Sequence, residues 1–352
     1  MRFSSFRHTA LGFALETALR RTRHVTPSAL PHWLAKPSDA PTLESVSELL
    51  DSLLTRPAPP LPPVKGYPDL SERKLRIAER LRECLSAGEH LPALALAHQL
   101  ASMDMTDDVA FRFFLELVSF VNADAIHAAR SFLKPKVIAH VSCVPRIDRA
   151  FASCESFAAG EADGVCQIVV VGSVDPGSFH FDPVRGVLTV PASDSYEHLP
   201  SKVVAAMSFL SLCGGVEGVL KVDDDHRLYS RAELMRGFRR LRHDRPLQIG
   251  RLSRIGILGL HPRAWHFEKS SDPGLNASPY TLPGTTRWAN GANGYYLNDL
   301  ALRVMLWSYV YFPEYIRIGL YEDMTVSDLI ERQGGRIASM EMERALTAVD
   351  HY

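Results

Sequence analysis

The chain lacks paired cysteines. Its 352 residues include five cysteines, an odd number with no Cys-x-x-Cys pair, so neither a disulfide framework nor a structural zinc site is indicated. No run approaches the roughly 18 consecutive apolar residues of a membrane-spanning helix, and we expect no transmembrane segment. Charge of one sign is not in excess, because 39 lysine plus arginine residues balance 40 aspartate plus glutamate residues. We therefore predict a cytoplasmic protein without a nucleic-acid partner.

Several motifs of common enzyme classes are also missing. The first predicted strand is not followed by Gly-x-Gly-x-x-Gly, and the chain has no P-loop, no His-Glu-x-x-His and no Gly-x-Ser-x-Gly. Dehydrogenases, P-loop kinases and serine hydrolases therefore lack the residues that carry their chemistry. A glycosidase with two carboxylates stays open, because spacing along the sequence does not test it.

A proline-rich segment divides the N-terminal part of the chain. Clustered prolines in residues 56–68 (RPAPPLPPVKGYP) predict an extended linker, and we assign residues 1–68 to an N-terminal helix and this linker. A transit peptide is the alternative for the arginine- and serine-rich first residues. Apolar residues at helical spacing predict a small all-α module over residues 69–134. We expect this module to pack against the next domain, with partner binding as the alternative.

The pattern changes at residue 135, where short apolar, β-branched runs begin to alternate with helical stretches. The predicted strands are residues 137–144, 166–173, 187–191 and 216–222. Strands that alternate with helices predict a doubly wound α/β sheet, whose ligands bind at the carboxyl ends of the strands. We assign residues 135–352 to this second domain.

Three consecutive acidic residues, Asp223 to Asp225, follow the fourth predicted strand. Adjacent carboxylates raise each other's pKa unless a cation or hydrogen-bond donors compensate. Mn²⁺ or Mg²⁺ would compensate, because these ions bind carboxylates together with water and substrate phosphates. An acidic loop that caps the next helix, with Asp225 near its start, is the alternative. The position directly after a buried strand favours a site for a metal and a diphosphate.

The residues around the triplet resemble a known family. Residues 193–229 (SDSYEHLPSKVVAAMSFLSLCGGVEGVLKVDDDHRLY) are similar to a pattern of the β-1,3-galactosyltransferases and Fringe-related glycosyltransferases, Asp-Ser-Tyr-x-Asn-Leu-x-x-Lys, a helix, then a strand that ends in Lys-x-Asp-Asp-Asp. Residues 287–301 resemble the family's glycine-rich stretch, and residues 321–330 resemble its Glu-Asp-Val motif. The resemblance implies a GT-A fold, a Rossmann-like mixed sheet flanked by helices. It also implies an inverting transfer of galactose or N-acetylglucosamine from a UDP-sugar to a glycan or glycoconjugate, forming a β linkage.

The resemblance implies a role for individual residues of this chain. Asp223 and Asp225 become the ligands of Mn²⁺ or Mg²⁺, and Asp323 becomes the general base that takes the proton of the acceptor hydroxyl. The implied donor-binding residues are Ser142, Arg146, Arg149, Lys202, Asp224, Gly291 and Gly294. The implied acceptor-binding residues are Trp288, which we expect in a polar loop, and Glu322.

The chain also departs from the family's pattern. The helix after the first strand lacks the family's tryptophan, although Arg146 and Arg149 stand in for its arginines, and His198 replaces an asparagine. His351 is the nearest imidazole after the Glu-Asp motif, where family members supply a metal-binding histidine. Two alternatives therefore stay open: a non-catalytic binding or scaffolding protein with a degenerate transferase domain, and another Mg²⁺-dependent nucleotide enzyme such as a nucleotidyltransferase.

Two further segments have two interpretations each. The glycines of residues 290–294 (NGANG) either let backbone approach the donor sugar or form a tight turn before the next helix. The helix predicted from residue 231 has an apolar face and an arginine-rich face, so it is either a solvated surface helix or a peripheral contact with anionic lipid or a phosphorylated acceptor. We interpret His261 and His266 as structural.

Overall fold

The computed structural model describes most of the chain. The described residues are 41–55, 70–103, 108–157, 164–173, 178–254, 270–273 and 287–348. Several features named from the sequence lie outside them: the linker at 56–68, His261, His266 and His351. Within the described ranges, none of the helices has the length and apolar character that crossing a bilayer requires.

Helices alone make up the described part of the chain before the sheet. They are α1 (Leu43–Thr55), α2 (Leu70–Ser86), α3 (His90–Met103), α4 (Asp108–Val121) and α5 (Ala123–Phe132). Each forms because apolar residues recur three or four positions apart; in α1, Val46, Leu50 and Leu53 are buried while the opposite face is polar. The described elements between residues 70 and 132 are all helices.

Strands and helices alternate from residue 136 onward. The first elements are β1 (Lys136–Val141), α6 (Ile147–Phe157), β2 (Val165–Gly172), β3 (His180–Asp182), β4 (Val187–Val190), α7 (Leu199–Cys213), β5 (Gly218–Asp223) and β6 (His226–Leu228). They are followed by α8 (Arg231–Arg239), β7 (Leu247–Gly250), β8 (Leu252–Arg254), β9 (Arg287–Ala289), β10 (Tyr295–Asn298), α9 (Asp299–Tyr311), α10 (Pro313–Ile318), α11 (Glu322–Arg332), β11 (Arg336–Ser339) and β12 (Leu346–Ala348). All four predicted strands are present, with ends shifted by a few residues.

Eight strands form one sheet in the order β11-β7-β10-β5-β1-β2-β4-β3. The central strand β1 is parallel to both β2 and β5, and β2 is parallel to β4. Strand β10 runs antiparallel to its neighbours β5 and β7, and β3 is antiparallel to β4. The sheet is therefore mixed and mostly parallel and is flanked by helices, which agrees with the predicted α/β class and is compatible with a Rossmann-like fold.

Helices cover both faces of the sheet, because successive side chains of a strand point to opposite faces. In β1, Val137 and Ala139 belong to an apolar cluster with α7 and α9. Ile138, between them, belongs to a second cluster with Leu234 and Phe238 of α8. The carboxyl ends of β1 and β5 therefore lie at one edge of a layer that is buried on both sides.

The N-terminal helices pack on the α7 and α9 side of the sheet. One buried apolar cluster extends from Val46 in α1 to Met305 in α9, so the helical region and the α/β region share a core. His98 Nε2 lies 3.3 Å from the carbonyl oxygen of Tyr309, and the rings of Phe111 and Tyr311 are 5.7 Å apart. These contacts agree with the expected packing of the helices against the next domain.

Candidate functional site

The acidic triplet lies at the carboxyl edge of the sheet. Asp223 is the last residue of β5, and the neighbouring parallel strand β1 leads into Ser142 at the same edge. The Ser142 hydroxyl donates a hydrogen bond to Asp224 Oδ2 at 2.8 Å. The Asp223 side chain is 36% exposed, whereas Asp224 is buried. The triplet thus begins where the sequence predicted, with its middle residue turned into the protein.

Arg149 of α6 holds the other two members of the triplet. Its guanidinium nitrogens lie 3.5 Å from Asp224 Oδ1 and 3.5 Å from Asp225 Oδ2. Burial raises the pKa of Asp224, and the hydrogen bond from Ser142 and the charge of Arg149 do not fully offset it. Burial also acts to raise the pKa of Asp225, but His226 and Arg149 outweigh it, and that pKa lies below its ordinary value. Asp225 is therefore held as the carboxylate.

His226 completes a cluster that fits a metal ion. Ligand atoms of Asp223, Asp225 and His226 all lie within 4.8 Å of one another. His226 Nδ1 accepts the Asp223 N–H at 3.2 Å and lies 3.2 Å from Asp225 Oδ1, so two acceptors face each other when the imidazole is neutral. Among the described residues, Asp225 Oδ1 and His226 Nε2 are buried without a hydrogen-bond partner. Because buried polar atoms without a partner are rare, this set of two carboxylates and one imidazole could hold a metal ion.

A buried ammonium connects the triplet to the Glu-Asp pair. Lys221 Nζ lies 2.6 Å from Asp223 Oδ1 and 3.2 Å from Glu322 Oε2, and the Lys221 side chain is 1% exposed. Burial acts to lower the pKa of Lys221, but Asp223 and Glu322 outweigh it and the pKa is raised. Burial raises the pKa of Glu322 to about 7, with the negative charge of Asp323 adding to the effect. Three carboxylates around one ammonium leave this corner of the site negative, which suits a cation.

Glu322 does not occupy the acceptor-facing position that the resemblance implied. Its side chain is buried, its Oε2 accepts from Lys221, and its Oε1 accepts from the hydroxyl of Tyr295. Tyr295 is itself fully buried in β10. Glu322 therefore positions Lys221 and is not available to a glycan. Neither the Lys221–Glu322 pair nor His226 was identified as functional from the sequence, although His226 directly follows the triplet.

Asp323 is the second residue of α11, and its side chain contacts different groups from that of Glu322. It is half-buried; its Oδ2 accepts the N–H of Gly291 at 2.9 Å, and its Oδ1 accepts the N–H of Met324 at 2.8 Å. Burial raises the pKa of Asp323, although the Gly291 amide and the charge of Lys221 oppose the shift. A carboxylate with a raised pKa is a stronger proton acceptor, which suits a general base.

The two glycines predicted to bind the donor have structural roles. A Cβ added to Gly291 would lie 2.9 Å from Glu322 Oε2 and 3.2 Å from Asp323 Cβ, so the absence of a side chain lets this amide approach Asp323. Gly294 has φ of +70°, and a Cβ there would lie 2.9 Å from the Lys221 carbonyl oxygen. Residues 290–294 therefore form a tight turn, and it leads into β10.

Lys202, an implied donor-binding residue, contacts other parts of the protein. Its side chain is buried, and its Nζ donates to the Ser142 carbonyl oxygen at 2.8 Å and lies 2.5 Å from Asp194 Oδ1. Asp194 in turn accepts the N–H of Gly172 at 2.6 Å. The pair ties together the loops that follow β1 and β2. Arg146, by contrast, is exposed at the same edge.

A cavity of about 320 Å³ adjoins Asp323. Its lining residues are Ser253, Arg254, Trp288, Asn290, Tyr321, Asp323 and Met324. Trp288 was predicted in a polar loop, but it lies in β9 and is 4% exposed, because it packs on Leu320, Tyr321 and Met324. Only part of its surface therefore lines the cavity, and it does not present a free stacking face.

No protein-family model matches the chain, and no curated protein matches it.

Proposed function

We propose that the protein is a metal-dependent inverting glycosyltransferase of GT-A type, which moves a sugar from a UDP-sugar to a hydroxyl of a glycan or glycoconjugate. One observation carries the proposal: the buried Lys221 joins Asp223 of the candidate metal cluster to Glu322, whose neighbour Asp323 borders a cavity. A cation site and a carboxylate base thus lie at the same edge of a mostly parallel sheet. The order of motifs in the sequence adds support.

Asp223, Asp225 and His226 are the residues that would hold Mn²⁺ or Mg²⁺. When bound, the cation supplies positive charge that stabilises a departing diphosphate. Arg149, which is 36% exposed beside Asp224 and Asp225, adds positive charge from the protein at the same edge. These charges favour the site for a nucleoside diphosphate.

Asp323 is the proposed base. Its carboxylate takes the proton of the acceptor hydroxyl while that oxygen attacks the anomeric carbon of the donor sugar. The bond from the anomeric carbon to the diphosphate breaks on the opposite face, so UDP leaves and the configuration inverts. The cavity lined by Asp323 and Trp288 is the proposed position of the acceptor. The N–H groups of Gly291 and Met324 hold the two carboxylate oxygens of Asp323 in place.

Hydrolysis of UDP-galactose, UDP-N-acetylglucosamine and UDP-glucose with and without Mn²⁺ tests the proposal and identifies the donor sugar. We expect Mn²⁺-dependent release of UDP from at least one donor. Asp225→Asn should abolish it, whereas Asp148→Asn, an exposed aspartate on α6, should not. No turnover together with no Mn²⁺-enhanced UDP binding would support the non-catalytic alternative. Release of pyrophosphate from UTP would instead support a nucleotidyltransferase.

A further inference from the structure

A larger cavity, of about 670 Å³, lies at the other edge of the sheet. Its walls include Lys136 and Gly218, the first residues of the parallel strands β1 and β5, and Asp299, which follows the antiparallel strand β10. The acidic triplet follows the opposite end of β5. The cavity is therefore separated from the proposed active site by the length of the strands and is independent of it.

Positive charge dominates the lining of this cavity. The basic residues are Lys136, Arg239, Arg242, His243 and Arg303, and the acidic ones are Glu217 and Asp299. Arg303 lies 3.8 Å from Asp299, so these two charges largely offset each other. Arg239 and Arg242 are exposed, and their side chains make no ion pair or hydrogen bond within the described part of the chain. Their guanidinium groups are therefore available to an anion.

Much of the rest of the lining is apolar, and these apolar residues are at most 7% exposed. The apolar side chains are Leu210, Val216, Phe238, Leu241, Leu302 and Leu306. Phe238 and Leu241 lie close in sequence to Arg239 and Arg242, at the end of α8 and just after it. This one segment therefore supplies both apolar and cationic groups to the cavity. Gly214 and Gly215 add no side chains, and a Cβ at either would meet nothing within 4 Å. The cavity thus combines apolar walls, cationic groups and a volume typical of small-molecule sites.

We propose that this cavity binds the phosphate group of an amphiphilic phosphate ester. Guanidinium groups bind phosphate oxygens through paired hydrogen bonds, and Arg239 and Arg242 are the groups available for this. The leucines and Phe238 would contact the apolar part of the same ligand. Such a ligand is either a water-soluble ester or the headgroup region of a membrane lipid. The sequence offered a contact between the arginine-rich face of α8 and anionic lipid or a phosphorylated acceptor as one interpretation. In this proposal, that contact takes place at a defined cavity.

Binding is measured on the full chain in EDTA, which prevents binding that depends on a metal at the acidic cluster. The soluble probe is dihexanoyl phosphatidic acid below its micelle concentration, followed by titration calorimetry. The membrane probe is cosedimentation with phosphatidylcholine vesicles that contain or lack phosphatidic acid. Saturable binding of the soluble probe indicates a free ligand as the source. Binding to phosphatidic acid vesicles alone indicates a lipid headgroup, and no binding of either probe overturns the proposal.

Two double variants that remove the same charge, and a third that fills the cavity, distinguish binding in the cavity from nonspecific electrostatic attraction. Arg239→Gln/Arg242→Gln should weaken binding roughly tenfold or more, as loss of two charge-assisted contacts predicts. Arg73→Gln/Arg80→Gln removes the same charge from exposed positions on α2 and should leave binding unchanged. Ser211→Trp, which keeps the charge but fills the cavity, should also weaken binding. Equal losses in the two arginine variants, or full binding by Ser211→Trp, would overturn the proposal.

Discussion

The ammonium of Lys221 lies 3.2 Å from the carboxylate of Glu322, a residue 101 positions away in the sequence. The same ammonium contacts Asp223 at 2.6 Å. One buried cation therefore connects the end of β5, which carries the proposed metal ligands, to the start of α11, which carries the proposed base. This connection fixes the relative position of two groups that act on opposite sides of the anomeric carbon in the proposed transfer.

Removal of this cation should destabilise the protein. Lys221→Met leaves the carboxylate of Glu322 buried without its counter-charge, and breaking a buried ion pair in this way costs about 3–5 kcal/mol of unfolding free energy. Urea denaturation followed by circular dichroism measures the loss.

The matched control is the double variant Lys221→Met/Glu322→Gln, which removes both charges. We expect it to recover part of the lost stability, because the uncompensated charge is then absent. If the double variant loses the sum of the two single losses, the pair is not coupled and the proposed connection is wrong.

Gly291→Ala should separate positioning of the base from binding of the nucleotide. The added Cβ would lie 2.9 Å from Glu322 Oε2 and 3.2 Å from Asp323 Cβ, so the carboxylates must shift. We expect the shift of Asp323 to lower the rate of sugar transfer about 100-fold. Mn²⁺-dependent binding of UDP should be retained. Steady-state kinetics measures the rate of transfer, and UDP titration with and without Mn²⁺ measures nucleotide binding. Ala292→Ser, at the next position, is the control and should transfer at close to the wild-type rate.

The pH dependence of transfer should report Asp323. The active form of the base is the carboxylate, so kcat/KM rises with pH until Asp323 is deprotonated and then reaches a plateau. Because burial raises the pKa of Asp323, the inflection should lie above the ordinary value of 3.8. The profile is measured at saturating Mn²⁺. The residual activity of Asp323→Asn should lack this inflection, and an unchanged profile in that variant would assign the inflection to another group.

His226 should contribute to metal affinity. His226→Gln removes an imidazole of the proposed cluster, and we expect Mn²⁺ binding to weaken at least about tenfold, as measured by calorimetry. His243→Gln is the control, because that histidine is exposed at the opposite edge of the sheet. Equal Mn²⁺ affinity in wild type and His226→Gln would remove His226 from the site.

Much of the fold follows from local patterns in the sequence. β1, β2, β4 and β5 are short apolar, β-branched runs, and their burial on both faces makes them recognisable. The other four strands of this sheet, β3, β7, β10 and β11, were not predicted. β3 has only three residues, and β10 follows a glycine-rich turn and pairs antiparallel with strands that come earlier in the chain. Pairing of this kind depends on tertiary contacts and has no local signature.

The candidate site was also only partly predictable from local sequence patterns. Asp223 and Asp225 could be selected from the sequence, because consecutive acids after a buried strand form a local pattern. The pairing of Lys221 with Glu322 could not, because no spacing rule joins residues so far apart. Trp288 has polar neighbours in the sequence, yet it is buried against Tyr321 and Met324 once β9 pairs with β8. The orientation of adjacent residues, as at Glu322 and Asp323, is decided by packing.

The central claim is that the acidic cluster binds a metal and UDP while Asp323 acts on the acceptor. Comparison of Asp323→Asn with Asp225→Asn, by UDP titration with and without Mn²⁺ and by sugar transfer, tests it most directly. We predict that Asp323→Asn keeps Mn²⁺-dependent UDP binding and loses transfer by about 100-fold or more, whereas Asp225→Asn loses both. Wild-type transfer by Asp323→Asn, or UDP binding that is the same with and without Mn²⁺, would contradict the account.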